Sequence, residues 1–164
     1  MGVKWNNPQS FERFYSDVQK FVDEKAITWL AAQGEKWVKK ARLEGPYKDR
    51  TANLRNSIGY IIVQNGRVVS NAYTGNAQPD PRYADKADIE GAHAQGQASA
   101  EQIAANLDNS KTYLILTAGM QYAVYVERKG YWVLSAVKSD AEANQSELER
   151  NFERYLSNEI SKLK

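Results

Sequence analysis

The stretch IGYIIVQNGRVVSNAY, residues 58–73, decides the fold of this chain. β-Branched and aromatic residues fill Ile58–Val63, and a second such run follows over 68–73. Asn65-Gly66 stands between the two runs, and both residue types tolerate the positive φ angles of a type I′ turn. The stretch therefore predicts a β-hairpin over 57–73 and, with it, an antiparallel sheet.

A long helix is predicted before the hairpin, from about residue 8 to residue 43. Asn7-Pro8 suits its start and Gly45-Pro46 its end. A break near Gly34 or residue 25 stays open, since the helix is long for a chain of 164 residues. Apolar residues recur at steps of three and four, as on one stripe of a helix: Phe11, Phe14, Val18, Phe21, Val22, Ala26, Trp29, Leu30, Trp37 and Ala41.

Two more strands and a last helix are predicted after the hairpin. Tyr113–Thr117 and Tyr131–Leu134 are apolar runs of strand type, whereas Tyr122–Glu127 is too short for periodicity to separate a strand from a helical turn. Apolar residues at steps of four and three predict a helix over about 139–162. The fold class is therefore α+β: a long N-terminal helix, an antiparallel sheet of about four strands and a C-terminal helix packed on it. We expect a single domain over 1–164.

Residues 76–110 differ in composition from the rest of the chain. They hold two basic and six acidic residues, and Gly, Ala, Asn, Asp, Gln and Pro dominate from 74 to 99. A short helix is expected only over about 98–107. We expect this acidic, loop-rich insertion to be mobile, because it offers little apolar surface to bury.

The composition removes several classes of protein. There are no cysteines, which excludes disulfide scaffolds, thiol nucleophiles and thiolate metal sites. The first residues form no secretory signal, and no apolar run nears the roughly 20 residues that span a bilayer. We expect a protein made and folded in a cytoplasm, without a membrane partner.

No catalytic constellation emerges from the sequence. His93 is the only histidine, so it has no second imidazole with which to bind a metal. No nucleophile elbow or Gly-rich phosphate loop is present. We therefore expect no enzyme, cofactor or metal, although a hydrolase with spatially assembled carboxylates stays open. An acidic cluster consists of Asp80, Asp85, Asp88 and Glu90. We interpret it as part of a solvated loop rather than a cation site, and docking of this loop to a basic surface stays open.

Two other groups of residues are candidates for contact with partners. A basic stretch over 36–55 offers phosphate contacts, with Trp37 and Tyr47 as stacking groups. Its residues for DNA-backbone contact are Lys36, Lys39, Lys40 and Lys48, and the alternative is the solvated face of a helix. The aromatic residues at 122, 125, 131 and 132 form a second group, equally consistent with a core and with an interface.

Two motifs and their order along the chain carry a resemblance to a known family. RTANLRNSI, residues 50–58, directly precedes the hairpin, and YAVYVE, residues 122–127, is followed by Gly130. Together with the order of elements, they resemble the small tail-component and head–tail joining (tail completion, neck) proteins of long-tailed bacteriophages, over residues 10–75 and 111–160. The chain departs from that family at Ala52, where Gly is usual, in its longer segment 76–110, and in lacking a Pro-Phe-Leu-type run near 135–137.

The resemblance implies a virion structural protein. It implies a connector or tail-completion adaptor that forms a homo-oligomeric ring, a hexamer in the particle, at the neck or tail end. The implied partners are copies of itself, neighbouring neck, connector or tail-tube proteins, and non-specific DNA in the channel; the implied locations are the virion and, during assembly, the host cytoplasm. The alternative is a nucleic-acid-binding accessory protein that uses 36–55. The predicted subunit or partner interface consists of Arg50, Asn53, Leu54, Arg55, Tyr122, Tyr125, Glu127, Tyr131 and Trp132.

Overall fold

The computed structural model describes residues 8–163, and its chain divides into two compact units. One unit comprises residues 30–145, and the other combines the described parts of 1–29 and 146–164. The first helix, α1 (Pro8–Glu44), runs without a break through Gly34 and ends before Gly45. This confirms the predicted helix, while the single domain stays a prediction.

The unit of residues 30–145 contains a three-stranded antiparallel sheet of order β2-β1-β3. Its strands are β1 (Ile58–Gln64), β2 (Arg67–Asn71) and β3 (Thr112–Ala118). The turn between β1 and β2 places Asn65 at φ 51 and Gly66 at φ 71, which confirms the predicted hairpin. The register shifts at Ile62/Val63, as at a β-bulge.

Both faces of the central strand are covered, so Ile58–Val63 are all buried. On one face, the Tyr60 hydroxyl donates to Glu35 Oε1 at 3.1 Å and reaches the Ala31 carbonyl of α1 at 3.2 Å. A side chain at Gly34 would collide with the Tyr60 ring, which explains a glycine within α1. On the other face, Ile61 and Val63 pack with Ala100 of a second helix.

A four-residue helix, α2 (Asn53–Asn56), lies just before β1. The helix that carries Ala100 is α3 (Ile89–Ala104), and it corrects the prediction of a loop over most of 76–110. It begins nine residues before the expected short helix, and a 3₁₀ helix over Pro81–Lys86 precedes it. Its buried residues, Ala92, Gly96 and Ala100, recur every fourth position and form a stripe of small side chains. An added Cβ at Gly96 would lie 2.4 Å from the Ser57 carbonyl oxygen, so only this stripe lets α3 approach the sheet so closely.

We expect α3 to be protected from hydrogen exchange, contrary to the mobility predicted from composition. Its amides are held in a helix that packs on β1 and β3, whereas the 3₁₀ helix over Pro81–Lys86 has no buried residue. Exchange followed by mass spectrometry should show protection over 92–104 comparable to that of β1. Rapid exchange of both 76–88 and 92–104 would restore the prediction of a mobile segment.

The fourth predicted strand, Tyr131–Leu134, is absent from the described part of the chain. The backbone N–H groups of Val133 and Leu134 donate to the Glu127 carboxylate, so they pair with no strand. Periodicity left Tyr122–Glu127 undecided between a strand and a helical turn. In the structure, residues 123–127 belong to the helix α4 (Ala123–Arg128), and Tyr122 directly precedes that helix. The single helix predicted over 139–162 is two helices, α5 (Ser135–Ala143) and α6 (Gln145–Ser161).

The second unit is built from the first part of α1 and from α6. The rings of Trp29 and Phe152 lie 5.2 Å apart, and Lys25 Nζ lies 2.5 Å from Glu159 Oε2. In the first unit, α3 packs on one face of the sheet. The C-terminal helix belongs to the other unit, and its packing on the sheet stays a prediction. No helix within residues 8–163 is long and apolar enough to span a membrane.

Candidate functional site

Arg55 fastens the end of α1 to the segment before the hairpin. Its guanidinium donates to the carbonyl oxygens of Arg42 at 2.9 Å, Gly45 at 3.2 Å and Tyr47 at 3.2 Å. It also lies over the Tyr47 ring, 4.7 Å from the centroid. A cation is favourable there, because a helix leaves carbonyl groups unpaired at its C-terminal end. Arg55, predicted at an interface, is therefore committed to contacts within the chain.

Arg42 makes the reciprocal connection. Its Nε donates to the Arg55 carbonyl at 3.1 Å, and its Nη2 donates to the Ile58 carbonyl at the start of β1. Burial lowers the pKa of this guanidinium, although the Glu35 charge opposes the shift. The two arginines thus cross, each binding the backbone of the other, and neither is free to contact a phosphate.

Asp49 binds the backbone of the short helix α2 (Asn53–Asn56) from outside its N-cap, which is Ala52. Its Oδ2 accepts the Arg55 N–H at 2.7 Å. Burial raises the pKa of Asp49, and hydrogen bonds from the backbone of Arg55, Leu54 and Ala52 oppose the rise. Ala52 adopts the left-handed conformation, φ 60, that favours glycine. The chain has alanine at this position, although the conformation favours glycine.

Two asparagines of the segment before the hairpin, Asn53 and Asn56, bind loops that are distant in the sequence. The buried Asn56 side chain donates to the Ala77 carbonyl and accepts the Ala77 N–H, both at 2.9 Å. The Asn53 side chain accepts the Asp88 N–H at 2.8 Å and donates to the Lys86 carbonyl at 3.2 Å. The amide of each side chain therefore bonds the backbone of the 76–110 segment, which anchors that segment at two points.

The structure brings the two motifs of the resemblance into contact. Burial and the Asp49 charge raise the pKa of Tyr122, against hydrogen bonds with the Thr51 side chain and the Leu54 backbone. Just before Tyr122, Gly119 N–H donates to the Ser57 carbonyl at 3.2 Å. Leu54 is only 1% exposed and belongs to the core, so it presents no surface to a partner.

The neighbouring Tyr47 is buried with its hydroxyl oxygen unpaired within residues 8–163. Burial raises its pKa to about 12, even though the Arg55 guanidinium stacked on the ring opposes the rise. Burial thus keeps the hydroxyl in its neutral form. Tyr47 is a packing surface for Arg55 rather than the stacking group predicted for nucleic acid.

The Glu127 side chain caps the N-terminus of helix α5, which begins eight residues later at Ser135. Its carboxylate accepts the N–H groups of Val133 at 3.0 Å, Leu134 at 2.9 Å and Ser135 at 3.2 Å. Burial opposes ionisation, but hydrogen bonds from the Ser135 hydroxyl and these N–H groups lower the pKa of Glu127 below its usual value. Anions are favourable at a helix N-terminus, so this carboxylate fixes the loop that carries Tyr131 and Trp132.

We expect Glu127→Ala to lower the free energy of unfolding by about 1–2 kcal/mol at pH 7, because three N–H groups lose their acceptor. The folded-state pKa lies below the unfolded value, so this contribution is complete above the unfolded pKa and disappears as pH falls through the folded pKa. Urea unfolding at pH 7 and at pH 3 should therefore show the loss shrinking in acid. Glu127→Gln keeps one acceptor oxygen, so its loss of stability at pH 7 should lie between zero and that of Glu127→Ala. An equal loss of stability by Glu127→Ala at both pH values would contradict the capping role of the carboxylate.

An exposed aromatic surface surrounds this cap. Trp132 is 58% exposed and Tyr125 is 63% exposed. The end of β3, α4 and the loop before α5 line a mostly apolar hollow of about 350 Å³ that includes Ala118, Val124 and Val133. We call the following five exposed side chains the aromatic surface: Tyr122, Val124, Tyr125, Tyr131 and Trp132.

The basic stretch is largely used within the chain. Lys40 Nζ pairs with Asp140 at 3.0 Å, and Arg50 lies 5.2 Å from the centre of the Tyr83 ring and donates to its hydroxyl. Lys36, Lys39 and Lys48 are exposed and form no ion pair within the described residues. Only three of the four lysines predicted to contact DNA are thus available.

The remaining polar candidates serve the fold. His93 Nε2 lies 2.8 Å from the Gly75 carbonyl, in hydrogen-bond contact with the loop. In the acidic cluster, Asp80 caps the 3₁₀ helix and pairs with Arg82 at 2.7 Å, and Asp88 caps α3. No group of residues suited to bind a metal occurs in the part of the chain that the structure describes.

Sequence reasoning missed Asp49, Arg42 and the internal role of Glu127. Asp49 lies four residues before α2, outside the position that an N-cap signal marks, and α2 has only four residues and leaves no periodic trace. The partners of Arg42 lie 13 and 16 residues away, beyond the reach of local patterns.

No protein-family model, curated protein or solved structure matches this chain.

Proposed function

We propose that this chain is a virion structural protein of a long-tailed bacteriophage, a head–tail connector or tail-completion adaptor that forms a ring at the neck or tail end. The aromatic surface carries the proposal, since five large side chains, each more than 40% exposed, lie together on one part of the chain. Exposed apolar patches of this kind mark protein contacts, and Tyr and Trp are enriched in their centres.

The internal contacts of the two motifs support the same function. Glu127 holds the loop that carries Tyr131 and Trp132 with hydrogen bonds, so this part of the aromatic surface is positioned before any partner binds. Preorganised aromatic groups lose little conformational entropy on binding. The motifs are thus expected to form the frame of the interface, and Tyr125, Tyr131 and Trp132 its contacts.

Nucleic-acid binding is the second candidate, and three exposed lysines favour it: Lys36, Lys39 and Lys48. Each neutralised phosphate contributes a slope of about −0.9 to log affinity against log salt. Three contacts limit the slope to about −3, far below that of a dedicated DNA-binding protein. Such weak contact suits an adaptor that lines a DNA channel better than a protein whose main partner is DNA.

Mass measurement in solution and in assembled particles tests the proposal. We expect oligomers larger than a dimer, or incorporation of the chain into particles at a fixed copy number. Trp132→Asp should reduce either outcome at least about tenfold, because it places a charge at the interface. Ile103→Asp, at a side chain 47% exposed on α3, is the matched control and should have little effect. A monomer that is absent from particles would refute the proposal.

A further inference from the structure

The sheet of the first unit has two edges, β2 and β3, and the two differ in their ability to pair with another strand. The register shift beside Ile62 leaves Val69 as an extra residue in β2, so the ladder on that side is irregular. Arg67 adds a charge at the start of the same strand. Bulges and charges of this kind keep an edge strand from pairing with a second chain, so β2 is a protected edge.

β3 has neither of these protective features. Its seven residues, TYLILTA over Thr112–Ala118, pair with β1 in one continuous register. None of them is charged and none is proline. A regular, uncharged strand at the edge of a sheet is a ready template for pairing with another strand. β3 is therefore the edge at which a partner strand can add.

Two hydrogen bonds at the ends of the ladders show which backbone groups of β3 face outward. Gly119 N–H donates to the Ser57 carbonyl at 3.2 Å, and Ala72 N–H donates to the Tyr60 carbonyl at 3.0 Å. The backbone groups of Ser57 thus face β3 and those of Tyr60 face β2, and the direction alternates along β1. Through the register of β1 and β3, the residues of β3 whose backbone N–H and C=O groups point away from β1 are Thr112, Leu114, Leu116 and Ala118.

The outward backbone groups of these four residues have no hydrogen-bond partner among residues 8–163. All four residues are partly exposed. Backbone N–H and C=O groups are strong hydrogen-bonding groups, and an extended strand is the partner that meets a whole row of them at once. The edge of β3 thus fits a second strand better than it fits a helix or a small molecule.

The strand that matches this row of groups is β3 of a second copy. The four outward residues are symmetric about Ile115, so a two-fold axis beside Ile115 places Leu114 opposite Leu116 of the other copy. The same axis places Thr112 opposite Ala118. Residues with outward groups then meet only one another, as an antiparallel ladder requires. Such an isologous contact is the commonest form of dimer.

Charge and closure also favour a second copy. Lys111, the charged residue directly before β3, would lie opposite Gly119 of the other copy and not opposite a like charge. Two three-stranded sheets would join in the order β2-β1-β3-β3-β1-β2, with a protected edge at each end, so association would stop at a dimer. We propose that two copies of this chain associate through antiparallel pairing of their β3 strands. This contact uses the sheet edge and not the aromatic surface, and it does not rest on the proposed function.

Hydrogen exchange of single amides, followed by NMR, tests the pairing in the unmodified protein. The Leu114 and Leu116 amides exchange from the monomer, whose fraction falls with the square root of protein concentration. Their exchange should therefore slow about threefold between about 100 µM and about 1 mM protein, where sedimentation should detect the dimer. The Val68 amide on the protected edge is the internal control, and its exchange rate should not change.

A protein that stays monomeric at the higher concentration would overturn the proposal. A dimer in which the Leu114 and Leu116 amides exchange at unchanged rates would overturn it as well. Equal slowing of the Val68 amide would indicate head-to-tail pairing of β3 with β2, and it would reject the contact between two β3 strands.

Leu114→Pro removes one outward N–H from each copy, and its matched control, Leu114→Ala, truncates the same side chain but keeps that N–H. Both variants keep the ladder with β1, because the N–H of residue 114 points away from β1. Leu114→Pro should raise the Kd of the dimer at least about tenfold more than Leu114→Ala does. Circular dichroism checks that both variants are folded, and equal Kd values in two folded variants would contradict the pairing. Trp132→Asp should leave this dimer intact, so the dimer and the proposed function can fail separately.

Discussion

Asn56→Asp should lower the free energy of unfolding at pH 7 by about 4 kcal/mol, the larger of the two greatest effects expected in this chain. The side chain is 0% exposed, and its Nδ2 donates to the Ala77 carbonyl at 2.9 Å. A carboxylate would place an oxygen against that carbonyl and a charge in the core, so the donor would be lost and the new acceptor repelled. Chemical denaturation followed by tryptophan fluorescence measures the change.

Asn53→Asp is the matched control, because it makes the same substitution three residues earlier. Asn53 also donates to a backbone carbonyl, that of Lys86, but at a partly exposed position where water can solvate the charge. We expect a loss of about 1 kcal/mol there. Similar losses in the two variants would show that burial of the Asn56 pair is not what stabilises the loop at Ala77.

Arg55→Ala should lower the free energy of unfolding by about 3 kcal/mol. It removes the donor for three carbonyl groups at the end of α1 and uncovers the Tyr47 ring. Arg55→Lys should recover less than half of the loss, because an ammonium group lacks the planar fork that reaches several acceptors at once. Thermal unfolding of both variants measures the difference.

Arg50→Ala is the control for Arg55→Ala, because it removes the same charge and the same length of side chain. Arg50 is exposed, its side chain contacts Tyr83, and its charge acts only weakly on Asp80, so its removal should cost no more than about 1 kcal/mol. If Arg50→Ala and Arg55→Ala were equally destabilising, the stabilisation would come from net charge and not from the bonds to α1.

The contrast between α1 and α3 shows where sequence reasoning succeeds. The apolar stripe of α1 has large side chains at helical spacing, so its period is visible without knowledge of the fold. The stripe of α3 consists of Ala92, Gly96 and Ala100, which carry little hydrophobic signal. Residues of this kind also dominate loops, so composition predicted a mobile segment where the structure has a packed helix.

The candidate site shows the same difference between local patterns, which the sequence reveals, and contacts between distant residues, which it does not. The sequence selected Arg50–Ile58 and Tyr122–Glu127 as functional segments, and the structure places them in contact through Tyr122. Arg55 and Glu127 read as surface groups because charged residues are mostly exposed. Their acceptors and donors are backbone groups, which no side-chain pattern reveals. Leu54 is buried and Arg55 and Glu127 bind backbone groups within the chain, so the exposed aromatic residues are left as the candidate contacts.

The sequence alone determined the bounds of α1, the hairpin over residues 58–71 and the run that becomes β3, because each depends on local periodicity or on the chemistry of one turn. The tertiary structure alone decided that Tyr131–Leu134 is a capped loop, that 89–104 is a helix against the sheet, and that Arg55 and Asn56 face inward. Those outcomes depend on backbone groups brought together from distant parts of the chain. Their hydrogen bonds exist only once the chain has folded.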